Sequence, residues 1–343
     1  MKFNHLRLHS FAYQEPDQFY TSDDIENELS ELYDRAKLPK GRLELQTGIK
    51  RRGFWSKGTS PSSIASLAAE KVLKDFPREK IDLLLHASVC RDFLEPATAA
   101  VVHAKLGLSP HCMISDLSNA CLGVLSSIFM AGHLIENGAI QSALVVSGEN
   151  AGPLLEQTIS YLKNDPLMDR KKIKPFIASL TIGSAGVALL LTHENLAPHA
   201  PKILGGSTLT DSSAAHLCQG DGSTQGLMME TDSEALLKAG VKLSRENWIK
   251  CQNVLNWSIQ DVDKIIPHQV GVAHRHAMLS ELGLPLDRDF QTFELFGNTG
   301  SAALPLTLIK AAEANFFKPN DKIALLGIGS GLTSTMLGME WNS

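Results

Sequence analysis

Short apolar runs flanked by polar or turn residues recur along the chain, at residues 81–86, 142–147, 186–191, 264–267 and 322–328. Each is short for a helix and dense in aliphatic side chains, the pattern of a strand buried on both faces. Between these runs apolar positions return at helical spacing. The most apolar helical stretch starts after Asp116-Leu-Ser-Asn-Ala-Cys-Leu-Gly123 and is stopped by Asn137-Gly138. Strands alternating with helices predict a layered α/β protein with no low-complexity linker dividing it.

The pattern also repeats. Asp82-Leu-Leu-Leu-His-Ala-Ser-Val89 matches Asp263-Lys-Ile-Ile-Pro-His-Gln-Val270, and each is followed by a helix ending in Leu-Gly-Leu, at 106–108 and 282–284. Each half then turns through Ser-Asn-Ala-Cys-Leu-Gly (118–123) or Phe-Gly-Asn-Thr-Gly-Ser (296–301) into another helix. Each closes on an apolar strand running into glycine, Ala143-Leu-Val-Val-Ser-Gly148 or Ala324-Leu-Leu-Gly-Ile-Gly329. Three landmarks in register predict two duplicated α/β halves, residues 1–195 and 196–343. If they face each other about a pseudo-twofold axis, the turn residues of both meet at strand ends, where open α/β sheets bind ligands.

Composition narrows the chemistry. With 343 residues, 43% hydrophobic and 20% charged, the chain can bury a large core. A formal net charge of −5 gives no basic field for nucleic acid or an anionic membrane. The N-terminal segment lacks a secretory pattern and no apolar stretch is long enough to span a bilayer, so a cytoplasmic protein is expected. The five cysteines, at 90, 112, 121, 218 and 251, show no C-x-x-C pair and no zinc-type cluster, so free thiols are expected.

Cys121 stands apart because it falls at the start of a helix, with Ser118 or Asn119 available as a cap. Unpaired N–H groups and the positive end of the helix dipole would lower its pKa and favour a thiolate. The competing reading is a small buried hydrophobe. In the second half His268 ends a strand and Asn298 lies in a tight Gly-Asn-Thr-Gly turn before the helix expected over 301–313. A neutral imidazole N–H and a carboxamide NH₂ can both stabilise an enolate oxygen, although each residue alone is more often structural. The duplication places both opposite Cys121. The run Leu325-Leu-Gly-Ile-Gly-Ser-Gly-Leu332 lacks the G-K-[ST] ending of a phosphate loop. Gly329 and Gly331 instead let backbone approach a substrate, and the Ser330 N–H joins that of Cys121 as a candidate oxyanion donor.

Asn-Ala-Cys121, Pro-His268-Gln, Gly-Asn298-Thr-Gly and Gly-Ile-Gly-Ser-Gly-Leu332 together resemble the thiolase superfamily, specifically its ketoacyl-ACP synthase III branch, in order and spacing over essentially the whole chain. The resemblance implies a five-layered αβαβα thiolase fold, a homodimer, and a Cys121-His268-Asn298 triad. The substrates would be acyl-CoA or acyl-ACP thioesters, with no further cofactor and no metal.

Within that branch, Ser88-Val-Cys-Arg-Asp-Phe-Leu-Glu95-Pro, Leu-Gln-Thr-Gly-Ile49, His111-Cys-Met and Leu217-Cys-Gln-Gly220 are similar to the acyl-CoA condensing thiolases of head-to-head olefin biosynthesis. This implies a non-decarboxylative Claisen condensation of two fatty acyl-CoAs to a 2-alkyl-3-ketoacyl-CoA, handed on to further lipid-pathway enzymes. It also implies that Glu95 is a general base delivered into the neighbouring subunit. The alternatives are decarboxylative condensation with malonyl-ACP, an HMG-CoA-synthase-like reaction, and a silent scaffold, which the presence of Cys121 disfavours. Gln46 and Arg42 replace the arginine and tryptophan of the housekeeping synthase, so nucleotide contacts must differ. Lys50, Arg51 and Arg52 are candidates for them, against the plainer reading of a solvated basic face.

Overall fold

All five apolar runs form strands. The computed structural model describes residues 1–223 and 226–342 and contains β1 (Leu6–Gln14), β2 (Gln18–Thr21), β3 (Arg51–Phe54), β4 (Leu83–His86), β5 (Met113–Asp116), β6 (Ser142–Glu149) and β7 (Ala185–His193). Beyond these come β8 (Lys202–Thr210), β9 (Cys218–Ser223), β10 (Gly226–Thr231), β11 (Lys264–Pro267), β12 (Lys322–Gly329) and β13 (Thr333–Glu340). Two antiparallel strand pairs, β2 with β3 and β9 with β10, stand outside the main sheet.

The nine remaining strands follow one hydrogen-bonded order, β11-β12-β13-β8-β1-β7-β6-β4-β5. Its two ends repeat each other. In the first half β5 pairs parallel with β4, β4 parallel with β6, β6 antiparallel with β7, and β7 antiparallel with β1. In the second, β11 pairs parallel with β12, β12 antiparallel with β13, and β13 antiparallel with β8. The counterpart of β5 survives as one parallel bridge from Ile265 to Asp289. β1 and β8 join the sets through a single register pair, Arg7 with Lys202.

Alternate residues of each strand point into different layers, as the pleat requires. Leu83, Leu85, Ala143, Val145, Leu189 and Leu191 pack inward, together with Ile266, Ile323, Leu325 and Leu337 of the second half, on the helices Gly123–Glu136 and Ala303–Glu313. Leu84, Leu144, Val146, Ala188 and Leu190 face outward to the helices Pro61–Val72 and Thr98–Leu106. Ile265, Ala324, Leu326 and Met336 do the same against Ser233–Leu255 and Val272–Leu282. Helix, sheet, helix, sheet, helix: these are the five expected layers. A further apolar cluster, with Ile25, Leu29, Leu43, Phe54, Leu155 and Phe176, covers one side.

The central layer carries the Cys121 turn at the head of its first helix. Leu125 sits 2% exposed between the two sheets, and its truncation to alanine would cost about 2–5 kcal/mol. Gly327 of β12 is what admits this helix: a Cβ there would stand 2.4 Å from Leu125 Cδ1 and 2.7 Å from Leu122 Cδ2. No helix among the described residues is long and apolar enough to cross a membrane.

Candidate active site

Cys121 lies in a single 3-10 turn, Ala120–Leu122, and the α-helix begins only at Gly123. The residue before Cys121, Ala120, holds a left-handed backbone at φ +44°, which costs a residue with a Cβ about 1 kcal/mol. Neither sequence candidate caps this helix with its side chain. Asn119 Nδ2 donates instead to Ser126 Oγ at 2.9 Å, and the first turn is closed from the other half, where Ser301 Oγ accepts from Val124 N at 3.0 Å. Asn137 and Gly138, the latter at φ +72°, end the helix as expected.

The expectation of a low thiol pKa is overturned. Burial pushes the Cys121 thiol up to about 12, the negative charge of Glu149 adds to this, and nearby Cys218 contributes further. The thiol's own backbone N–H works the other way, more weakly. Loss of the water shell and a neighbouring carboxylate outweigh a helix dipole here. The other cysteines are free as expected; burial also raises Cys90, Cys112 and Cys251.

His268 follows β11, with its N–H donating to Leu326 O of β12 at 2.9 Å. It is 4% exposed, and burial lowers its pKa to about 3, with His274 adding to the shift. The imidazole is therefore neutral and able to donate from one nitrogen. Gln269 secures the same corner: its Oε1 accepts from Thr292 N and Phe293 N at 3.0 and 3.2 Å. Three residues beyond Leu326, Gly329 presses on the cysteine turn, where an added Cβ would lie 3.5 Å from Cys121 N. Strand β12 thus runs from beside His268 to beside Cys121.

Asn298 is held by its backbone between Thr181 O, which accepts its N–H at 3.0 Å, and Gly183 N, which donates to its carbonyl at 2.9 Å. Its Oδ1 accepts from Gly300 N at 3.1 Å, which leaves the NH₂ as the free end of the side chain. The helix expected from residue 301 starts as a 3-10 turn, Gly300–Ala302, and becomes α-helical at Ala303. This copies the break at Cys121. The two turns touch: a Cβ on Gly123 would sit 2.7 Å from Ser301 Oγ.

The other predicted positions separate. Ser330 is half-buried just past Gly329, and Gly331, at φ +123°, has nothing within 4 Å of where a side chain would begin. Glu95 is exposed at the end of a loop whose Phe93 and Leu94 are 57% and 97% exposed. It does not serve the helix behind it, because Asp116 takes that role, accepting from Thr98 N and Ala99 N at 2.8 and 2.7 Å. Lys50 pairs with Glu294 at 2.9 Å and Arg51 stacks on the Phe19 ring at 4.3 Å. Arg52 departs from the expectation of a nucleotide contact: it is 0% exposed, with Nη1 donating to Ser22 Oγ at 3.1 Å, enclosed below the surface its neighbours share.

Glu149 and Ser301 were not singled out from sequence. Glu149 ends β6 3% exposed, and burial raises its pKa although three backbone N–H groups stabilise its charge. A strand-terminal glutamate carries no local signal of burial. The one available hint was the position of Ser301 in the turn that copies Leu122-Gly123.

The five layers, the repeated strand order and the two touching turns are those of the thiolase superfamily of condensing enzymes. Residues 253–341 match the family described as 3-oxoacyl-acyl-carrier-protein synthase III C terminal. The acyl-CoA:acyl-CoA alkyltransferase of Shewanella oneidensis is 38% identical over 99% of this chain and 100% of its own length; that of Xanthomonas campestris pv. campestris is 34% identical, again over 99% and 100%. Cerulenin-bound Xanthomonas campestris OleA superposes with a TM-score of 0.95 at 34% identity, covering 99% of this chain and 98% of the other. A cysteine-to-serine form of that OleA, solved with lauric acid and lauroyl-CoA, superposes with a TM-score of 0.94 over 99% and 100%. The chain belongs to the acyl-CoA:acyl-CoA alkyltransferase (OleA) family.

Proposed function

We propose that the protein condenses two fatty acyl-CoAs without decarboxylation to a 2-alkyl-3-ketoacyl-CoA. Cys121 Sγ attacks the first thioester; the C–S bond to the enzyme forms, CoA leaves as a thiol, and the backbone N–H groups of Cys121 and Ser330 meet the oxyanion. The thiol proton must be removed during attack, since a group with a pKa near 12 is protonated at neutral pH. The second acyl-CoA then loses an α-proton, its enolate oxygen held by the His268 N–H and the Asn298 NH₂. The resulting carbanion attacks the acyl-enzyme, and the Cys121 thiolate leaves. Gly329 and Gly331 lie along the substrate's path, and Lys50 and Arg51 are the remaining candidates for the nucleotide.

The observation that carries the non-decarboxylative reading is Glu95, exposed on an apolar loop with no hydrogen bond or ion pair among the described residues. We read it as the base for the partner subunit's site. The chain is then a homodimer, joined where β5 leaves the sheet edge open and Met113 and Ile114 are 50% and 40% exposed. The structures of Xanthomonas OleA include substitutions of a glutamate and a cysteine whose separation in that chain equals that of Glu95 and Cys121 here. The duplication suggests two functional halves, residues 1–195 with the nucleophile and 196–343 with its donors.

Incubation with myristoyl-CoA alone should give a β-keto product by mass spectrometry. Glu95→Gln should still acylate Cys121 and fail to condense. Near wild-type condensation by Glu95→Gln would remove this base. Activity on malonyl-ACP with acyl-CoA, but not on acyl-CoA pairs, would move the protein to the decarboxylative reaction, as the match to the synthase III family would then favour.

A further inference from the structure

Glu149 joins three segments that the reaction needs. Its Oε1 accepts from Val89 N at 3.0 Å and from Ser301 N at 2.9 Å, while Oε2 accepts from Cys90 N at 3.3 Å. Its carbonyl is fixed in turn by Trp55 Nε1, at 3.0 Å. Gly300 makes room for the carboxylate, for a Cβ there would stand 2.9 Å from Oε1. Ser301 passes the connection on through its Oγ, which accepts from Val124 N at 3.0 Å in the first turn after Cys121.

One buried carboxylate therefore holds the root of the loop that ends at Glu95, the turn that carries Asn298 and, through one serine, the start of the Cys121 helix. Three N–H donors from two separate segments converge on it, and only an acceptor with two bare oxygens meets them all. A glutamine in its place offers one oxygen and turns an NH₂ toward an N–H. Burying an acid is unfavourable, and a link serving stability alone has neutral substitutes.

We propose that Glu149 is a positioning residue that sets, from a single point, both the Asn298 turn of its own site and the loop that lends Glu95 to the partner subunit. The geometry of one protomer's loop root thereby governs condensation in the other protomer's site. This rests on reading Glu95 as a base acting across a dimer, so the experiment separates the two claims.

Mixed dimers carrying two different tags serve as the test. In the control, one protomer carries Cys121→Ala and the other Glu95→Gln, so the single working cysteine faces the single working glutamate. An inactive control would reject delivery of Glu95 between subunits, whatever Glu149 does. With the control active, Glu149→Gln is added to the Cys121→Ala protomer, whose own site is already silent. Condensation should fall about tenfold or more, because a displacement on the order of 1 Å suffices for that, while myristoyl-CoA still acylates the partner's Cys121 and native mass spectrometry still finds the dimer. A role confined to its own half leaves the partner's site unmoved, and unchanged condensation overturns the proposal. Should the Glu149→Gln protomer fail to assemble, Glu149→Asp keeps the charge but draws the oxygens back by one methylene. The same fall is expected, and full activity overturns the proposal equally.

Discussion

The two halves repeat one strand order but finish it differently. At the first half's edge, β5 is a full strand with Met113, Ile114 and Ser115 exposed, and Asp116 ties it to the helix that follows the Phe93–Leu94 loop. At the second half's edge the same place is reduced to the bridge at Asp289, whose carboxylate is locked to Arg275 by bonds of 2.6 and 2.7 Å. One edge is left free to pair and the other is closed by an ion pair. The chemistry divides the same way. In the proposed reaction the first half supplies the nucleophile and the loop bearing Glu95, and the second supplies neutral donors. On that reading two like frames share one strand order, one made reactive and outward-facing, the other enclosing.

Removing the nucleophile breaks this division most completely. Cys121→Ala should abolish covalent labelling by radioactive acyl-CoA, whereas Cys251→Ala, in the outer layer against Met336, should retain most of it. Label retained in Cys121→Ala would refute the nucleophile. On the other side of the comparison, His268→Ala or Asn298→Ala should lower condensation by on the order of a hundredfold while single-turnover acylation survives in large part. Equal loss in both steps would mean that the halves do not divide the labour.

The edge contrast is tested by Ile114→Lys, which places a charge on the open strand and should weaken dimer association by roughly 2 kcal/mol, measured by sedimentation. An undisturbed dimer would locate the interface elsewhere. The smallest effect concerns protonation. With the Cys121 thiol pushed up to about 12, alkylation by iodoacetamide should climb about tenfold per pH unit from neutrality to pH 10, without a plateau. A plateau near pH 7 would show that the dipole has won after all.

Much of the frame was legible because buried strands announce themselves: the apolar runs became β4, β6, β7, β11 and β12 with their ends shifted by a residue or two. The repeat was legible because turns need particular residues, such as Gly297 at φ +66° and Gly300 at φ +57°. What escaped the sequence was long-range. The helix cap comes from Ser301 rather than from Asn119, and the thiol is governed by burial, with Glu149 adding to it, rather than by its own helix. Arg52 looks like its solvated neighbours yet is sealed in the interior beside Ser22. In each case the deciding partner is distant along the chain, and local pattern is blind to it.

The exposed Leu94–Glu95 tip has a consequence for kinetics. Under the proposed delivery of Glu95 to a partner subunit, the catalyst is assembled from two copies and obeys mass action, so below its dimer dissociation constant the active fraction grows with protein concentration. The initial rate of condensation then becomes second order in enzyme, while acylation of Cys121 stays first order. Dilution alone, with no substitution made, separates the step that one chain performs from the step that takes two.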